Sequence, residues 1–226
     1  MKKKNAFTLA EVLITLGIIG IVAAMTLPVL IEKHQKVVHV NRMKQTYSIL
    51  ANAFYMARQE YGEPKNWDWD ANNLSEENLN RFIEKYLLPY LSVSSTGGEH
   101  ESWENSYVCR LKNGTTMIIQ FDGYNKDGIP NGPVTDITAL RFLISHKSET
   151  SSFTAQNRDY SRNNYLLVFS KNEGLKFANY NKSRDRDYYI NNGSQACNKN
   201  IVKNKRLSCG ALIFYDGWEI KDDYPW

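Results

Sequence analysis

Three groups of residues have types and spacings that could do chemistry. The segment Phe121-Asp122-Gly123-Tyr124-Asn125-Lys126-Asp127-Gly128 gathers Asp122, Asn125 and Asp127 among turn formers. Those are hard oxygen donors of the kind Ca2+ takes. The spacing is not that of an EF-hand, since Gly123 and Tyr124 break the alternation and no closing glutamate follows. Asp-Gly and Asn-Gly are also ordinary turn chemistry. A structural turn is the first expectation, calcium the second, and no cofactor is required. Cys197 and Cys209 lie twelve positions apart in a polar, loop-like stretch, with no further Cys or His at zinc-site spacing. In an exported domain they would close a short loop as a disulfide worth roughly 2–3 kcal/mol. Cys109 is then left over, with a buried free thiol as its default state. The third group is a single residue, Glu11, set inside an apolar run.

Other chemistries find little support. The histidines His34, His39, His100 and His146 are scattered, and there is no nucleophile elbow, HExxH or glycine-rich phosphate loop, so an enzyme is not expected. Lys and Arg number 28 against 24 Asp and Glu, a formal charge of +4. Much of the excess sits in Lys2 to Lys4 and in Lys199 to Arg206. Without a long basic helix or a basic patch interleaved with aromatics, no nucleic-acid partner is expected. Tyr188-Tyr189 and the terminal Asp222-Asp223-Tyr224-Pro225-Trp226 are candidates for a partner-facing surface, a packed tail being the simpler expectation.

The run around Glu11, FTLAEVLITLGIIGIVAAMTLPVLI, covers 25 residues from Phe7 to Ile31. At about 1.5 Å per residue it is long enough to cross a hydrocarbon core of about 30 Å with some tilt. A secretory signal peptide would use the small residues Val22-Ala23-Ala24, but the apolar run continues past them to Ile31. A plain anchor leaves Glu11 unexplained, because a carboxylate in a membrane span costs about 2.5–3.5 kcal/mol on insertion scales. Lys33, Lys36, Arg42 and Lys44 offset Lys2 to Lys4, so charge does not orient the span.

The stretch Ala6-Phe7-Thr8-Leu9-Ala10-Glu11 resembles the recognition site of prepilin peptidase in type IV pilins and type II secretion pseudopilins. The resemblance covers about thirty residues. It implies a short basic leader, residues 1–6, cut before Phe7, which becomes the N-methylated first residue of the mature chain. Gly20 and Pro28 fall where that family commonly has a glycine and a helix-bending proline; Ala6 stands where glycine is usual. The resemblance also implies that Glu11 meets the new α-amino group of a neighbouring subunit, neutralising a charge held among apolar stems. Its implied partners are the peptidase, other pilin or pseudopilin subunits including copies of itself, and an inner-membrane assembly platform. The head would lie outside the cytoplasm. The implied function is a structural subunit of a type IV pilus or type II secretion filament; a minor tip subunit with an adhesive or ligand-binding head is the alternative.

The elements that must position these residues follow the hydrophobic pattern. Val37, Val40, Met43, Tyr47, Leu50, Phe54, Ala57 and Tyr61 recur at steps of three or four, and Gly62 with Pro64 ends the pattern. One helix is therefore expected from about Phe7 to Tyr61, apolar all round over 7–31 and amphipathic over 32–61. Gly17 and Gly20 reduce bulk on one side of it, and Pro28 removes one backbone bond. Residues 62–226 form the head. A second helix is expected over Ser75 to Leu88, closed by Pro89. Then the pattern turns to strands: Tyr107 to Lys112 and Thr115 to Phe121 about an Asn113-Gly114 turn, Ile137 to Ile144, Tyr165 to Ser170, and Leu175 to Tyr180. Ala211 to Tyr215 fits strand or helix. Ser145 to Asn164 and Asn181 to Ser208 read as long polar loops. The expected fold class is α+β: a long N-terminal membrane-spanning helix and a head with an antiparallel sheet.

Overall fold

A computed structural model of the chain describes residues 8–70, 74–97, 105–124, 136–146 and 157–226. The contacts divide the chain into two units, Met1–Asn41 and Arg42–Trp226. Helix α1 (Leu9–Tyr61) runs unbroken through Pro28. It stops at Gly62, which takes φ +78° and donates its N–H to Arg58 O at 2.9 Å. Only glycine enters that left-handed cap without a Cβ penalty.

In the second unit, the last turns of α1 bury Met43, Leu50, Ala53, Phe54 and Ala57. Val37 and Tyr61, the ends of the expected stripe, are exposed instead. Tyr61 sits in the last turn and meets Tyr86 only edge-on, with ring centroids 5.1 Å apart. Helix α2 (Glu76–Tyr86) starts at Ser75, whose hydroxyl accepts from Asn78 N, and buries Leu79, Phe82, Ile83 and Tyr86. It closes two residues earlier than the pattern suggested: Leu87 leaves helical backbone with φ −126° and ψ −53°, ahead of Pro89, whose ring and missing N–H cannot continue an α-helix. A 3₁₀ turn, Leu88–Tyr90, takes over.

Six strands follow: β1 (Val93–Thr96), β2 (Tyr107–Leu111), β3 (Thr116–Tyr124), β4 (Asp136–Ser145), β5 (Asn164–Ser170) and β6 (Gly174–Phe177). They pair antiparallel in chain order, a simple meander. The register aligns Ile119, Phe142, Leu167 and Phe177 in one row across β3 to β6. Phe54 of α1 stacks on Phe169 and meets Phe142 edge-on, which places this row's face against the helix. Period-two alternation sends Ile118, Leu143 and Leu166 to the opposite face, where they cluster with Tyr160 and Ala178.

The β2–β3 turn differs in detail from a two-residue Asn-Gly hairpin. Leu111 N donates to Thr115 O, and only Gly114 has positive φ, +83°. Lys112 therefore joins the turn, giving a three-residue loop with its glycine in the left-handed position. Strand β6 ends at Phe177 rather than Tyr180, because Asn179 turns the chain with φ +66°.

The segment 181–208 is not a plain loop. It holds α3 (Arg186–Asn191), capped by Asp185 accepting from Tyr188 N, and a 3₁₀ turn at Lys203–Lys205. Ala211 to Tyr215 resolves as the end of α4 (Ser208–Tyr215). A Cβ on Gly210 would lie 2.7 Å from a ring carbon of Phe177, so this glycine is what lets α4 approach the sheet so closely. Cys197 and Cys209 form a disulfide with Cα atoms 4.8 Å apart, tying α4 to the segment after α3. Replacing both by alanine is expected to lower stability by roughly 2–3 kcal/mol, about 4–12 °C in thermal unfolding followed by circular dichroism. A shift below about 2 °C would show that the loop contributes little. Cys109 is a buried free thiol on β2, and burial pushes its pKa up to about 12.

The C-terminal tail is packed. Arg186 donates through Nε to both oxygens of Asp216 and through its two terminal nitrogens to Asp223. Asp223 is thereby held below the usual carboxylate range. Tyr224, almost fully buried, donates its hydroxyl to Ser161 O at 2.8 Å.

Candidate functional site

The first described residues form a reciprocal cap. Glu11 Oε2 accepts from both Thr8 N and Thr8 Oγ1 at 2.8 Å. In return Thr8 Oγ1 accepts from Glu11 N at 3.3 Å. Thr8-Leu9-Ala10-Glu11 is thus a capping box, satisfying backbone donors that an α-helix start leaves open. The carboxylate also sits at the positive end of the helix dipole. The Thr-x-x-Glu spacing of a capping box is legible in the sequence, and it supplies Glu11 with a partner inside the chain beside the neighbouring subunit's α-amino group that the resemblance implies. Ala6 and Phe7 lie outside the described residues.

From Leu9 to Ile31 the helix surface is made almost entirely of exposed apolar side chains. This is the described helix long and apolar enough to cross a membrane. Its hydroxyls need no water. Thr15 Oγ1 donates to Glu11 O and Val12 O, and Thr26 Oγ1 donates to Val22 O. Such back-bonding satisfies a polar side chain where solvent is absent. A Cβ built on Gly17 or Gly20 would meet nothing within 4 Å. These glycines, three apart on one helix face, leave a shallow notch that nothing among the described residues fills. Pro28 lacks the N–H that Ala24 O would have accepted. Past Ile31 the surface becomes charged, with Glu32 and Lys36 paired across one turn at 2.7 Å.

Of the expected oxygen-donor group, Asp122 alone falls among the described residues. Asp122 Oδ1 accepts from Arg141 Nη2 at 2.7 Å, a cross-strand ion pair. Asn125 and Asp127 lie outside the described residues, and no cluster of three or more metal-ligating side chains occurs among those described. The expected aromatic surface is also redirected: Tyr189 is buried and donates its hydroxyl to Asn181 O. Tyr188 stays half-exposed, with the Arg184 guanidinium 3.9 Å from its ring centroid.

Two family models match the chain. Residues 1–27 match the prokaryotic N-terminal methylation motif, and residues 29–226 match a family of unknown function (DUF6613). No curated protein and no solved structure matches the chain.

Proposed function

The chain belongs to that family of unknown function, with a prepilin-type methylation motif ahead of it, and on this basis we propose that it is a filament subunit of a type IV pilus or a type II secretion apparatus. It is a membrane-anchored, pilin-like protein, and the pilin-like family is structural. In the proposed cycle, the chain waits as a single-pass protein of the inner membrane with its head outside the cytoplasm. Prepilin peptidase removes residues 1–6, Phe7 is N-methylated, and an assembly platform moves the stem from lipid into a filament core.

One observation carries this reading: residues 9–31 present an apolar exterior broken by a single carboxylate at the first turn. Lipid and a bundle of like stems are both apolar surroundings, so transfer between them leaves most of that surface equally well solvated. Glu11 is the exception. In lipid its charge has the Thr8 donors alone; in a filament the α-amino group of a neighbouring Phe7 would add an opposite charge. That difference favours the filament and fixes the axial stagger between subunits.

Intact-mass and peptide mass spectrometry on the chain from membranes tests the processing step. The expected product begins at N-methylated Phe7. A mature chain retaining Met1 to Ala6, or cut after Ala24, would rule the proposed cycle out.

A further inference from the structure

The sheet face opposite α1 carries a feature that the linear order of residues hides. Depressions of about 390 and 440 Å³ open on it, and a third of about 660 Å³ adjoins them between the 159–162 and 202–206 segments and the C-terminal residues. The 660 and 390 Å³ depressions share Asn204 and Lys205; the 390 and 440 Å³ depressions share Arg141, Leu166, Gln195 and Leu207. They therefore form one continuous track, whose floor includes the cross-strand row Arg141, Val168 and Lys176.

The track is strongly cationic. Arg162, Lys203, Lys205 and Arg206 line its 660 Å³ part, and Arg158 and Arg184 line the rest with Arg141 and Lys176. Two carboxylates also line it, of which Asp122 is paired with a cation and Asp159 is hydrogen-bonded by neutral donors. Asp122 holds Arg141, and Asp159 accepts from Ser161 N and Oγ. Lys176 pairs with Glu173. Among the described residues, Arg162, Arg184, Lys203, Lys205 and Arg206 form no salt bridge to an Asp or Glu. Against these five cations the lining sets one carboxylate that no cation pairs, Asp159, so among the described residues the surface is net positive and its local potential is raised.

Several of these cations are held in place. Arg206 donates to Ile201 O, Pro225 O and Ser161 Oγ. Arg162 lies over the Trp226 ring, and Arg184 donates to Asn179 O. A guanidinium fixed in this way loses little freedom when an anion arrives. Between the cations the lining carries the amides Asn179, Asn181, Gln195 and Asn204; Asn179 donates to Gln195 Oε1 and Asn181 Oδ1 accepts from Ser183, and an amide's remaining donor or acceptor sites suit hydroxyls.

The occupant must therefore be a linear chain bearing repeated anionic groups with hydroxyls between them. Single-stranded nucleic acid fits less well, since it relies on open aromatic faces for base stacking. The rings along the track are already engaged: Arg162 covers Trp226, Tyr160 is buried, and Tyr180 lies between Tyr189 and Phe214. We propose that this track binds an acidic polysaccharide, a polymer of uronic sugars whose carboxylates meet the arginines and lysines while its hydroxyls meet the amides.

The test uses the full chain in detergent, unassembled, so the result does not depend on filament formation. The probes are an oligogalacturonate, a neutral glucan of equal length, and single-stranded and duplex DNA of similar charge. Calorimetry or fluorescence anisotropy is expected to show saturable oligogalacturonate binding that weakens as salt rises, with no binding of the glucan. The double substitution Lys203→Gln with Lys205→Gln, at two exposed positions, is expected to weaken binding about tenfold without changing the unfolding temperature. Arg184→Gln checks the far end of the track independently and should weaken binding as well. Absence of saturable binding, equal affinity for the neutral glucan, or tighter binding of either DNA overturns the proposal. So does unchanged affinity in both charge variants.

Discussion

Glu11→Leu is expected to insert and to be trimmed normally, yet to give at least about tenfold fewer filaments. Removing a carboxylate from an apolar helix makes membrane insertion easier, so a loss of the protein is not anticipated. What disappears is the one charge along 9–31 that distinguishes a stem in lipid from a stem among its neighbours. The capping box adds a sharper comparison. Glu11→Gln keeps an oxygen able to accept from Thr8 but removes the charge, whereas Thr8→Val removes the reciprocal donor and keeps the charge. If pairing with a neighbouring α-amino group drives assembly, Gln should be nearly as defective as Leu, and Thr8→Val should assemble. If the cap is the main contribution, the order reverses. Sheared-filament yield, normalised to mature protein in the membrane, reads both cases; full yield from Glu11→Leu would remove Glu11 from the mechanism.

The second large effect lies in the head. Phe54→Ala is expected to destabilise the Arg42–Trp226 unit by about 3–5 kcal/mol, lowering its unfolding temperature by about 6–20 °C. The ring of Phe54 lies parallel to Phe169 with centroids 3.6 Å apart, and is edge-on to Phe142 at 5.8 Å. It also approaches Trp67 at 6.4 Å. Trp67 in turn stacks on Tyr86 at 4.6 Å and donates its indole N–H to Gly62 O. One helix side chain thus bridges β4, β5 and the aromatic cluster around α2. Truncation leaves a cavity walled by flat rings, which cannot close around it as flexible aliphatic chains do. Phe54→Leu should cost markedly less, because most of the volume is kept. Thermal unfolding of the full chain in detergent measures both, and a shift below about 2 °C for the alanine variant would show that the ring is not central.

Helix α1 and strands β2 to β5 were legible because their hydrophobic period is long and regular, and their flanking Gly and Pro residues punctuate it. Strand β1 was not: Val-Ser-Ser-Thr is four residues long, and only Val93 is even half-buried, so no alternation existed to read. Helix α3 was hidden in an Asn- and Ser-rich stretch, and the helix itself has a single fully buried residue, Tyr189. Its existence depends on tertiary partners, Arg186 with Asp216 and Asp223 above all. The short apolar run before Tyr215 could not be assigned by period, since eight residues bury equally well as strand or helix. Its disulfide and the missing Cβ of Gly210 decide the matter. The cationic track escaped for a different reason. Its charges come from β4, β6 and the segments around 158–162, 184 and 199–206, and no window of sequence holds more than a few of them. At the N-terminus the single carboxylate was legible, and its bond to Thr8 follows from the Thr-x-x-Glu spacing once Thr8 is the residue that opens the helix.

The two outermost strands of the meander, β1 and β6, have four residues each. A strand that short exposes only a handful of unpaired backbone groups for a foreign strand to extend. In a polymer the heads are crowded together at very high local concentration, a setting in which sheets with long open borders fuse into aggregates. Here the borders are too short to seed such fusion, so copies of this domain can be stacked densely and still remain separate, individually folded bodies.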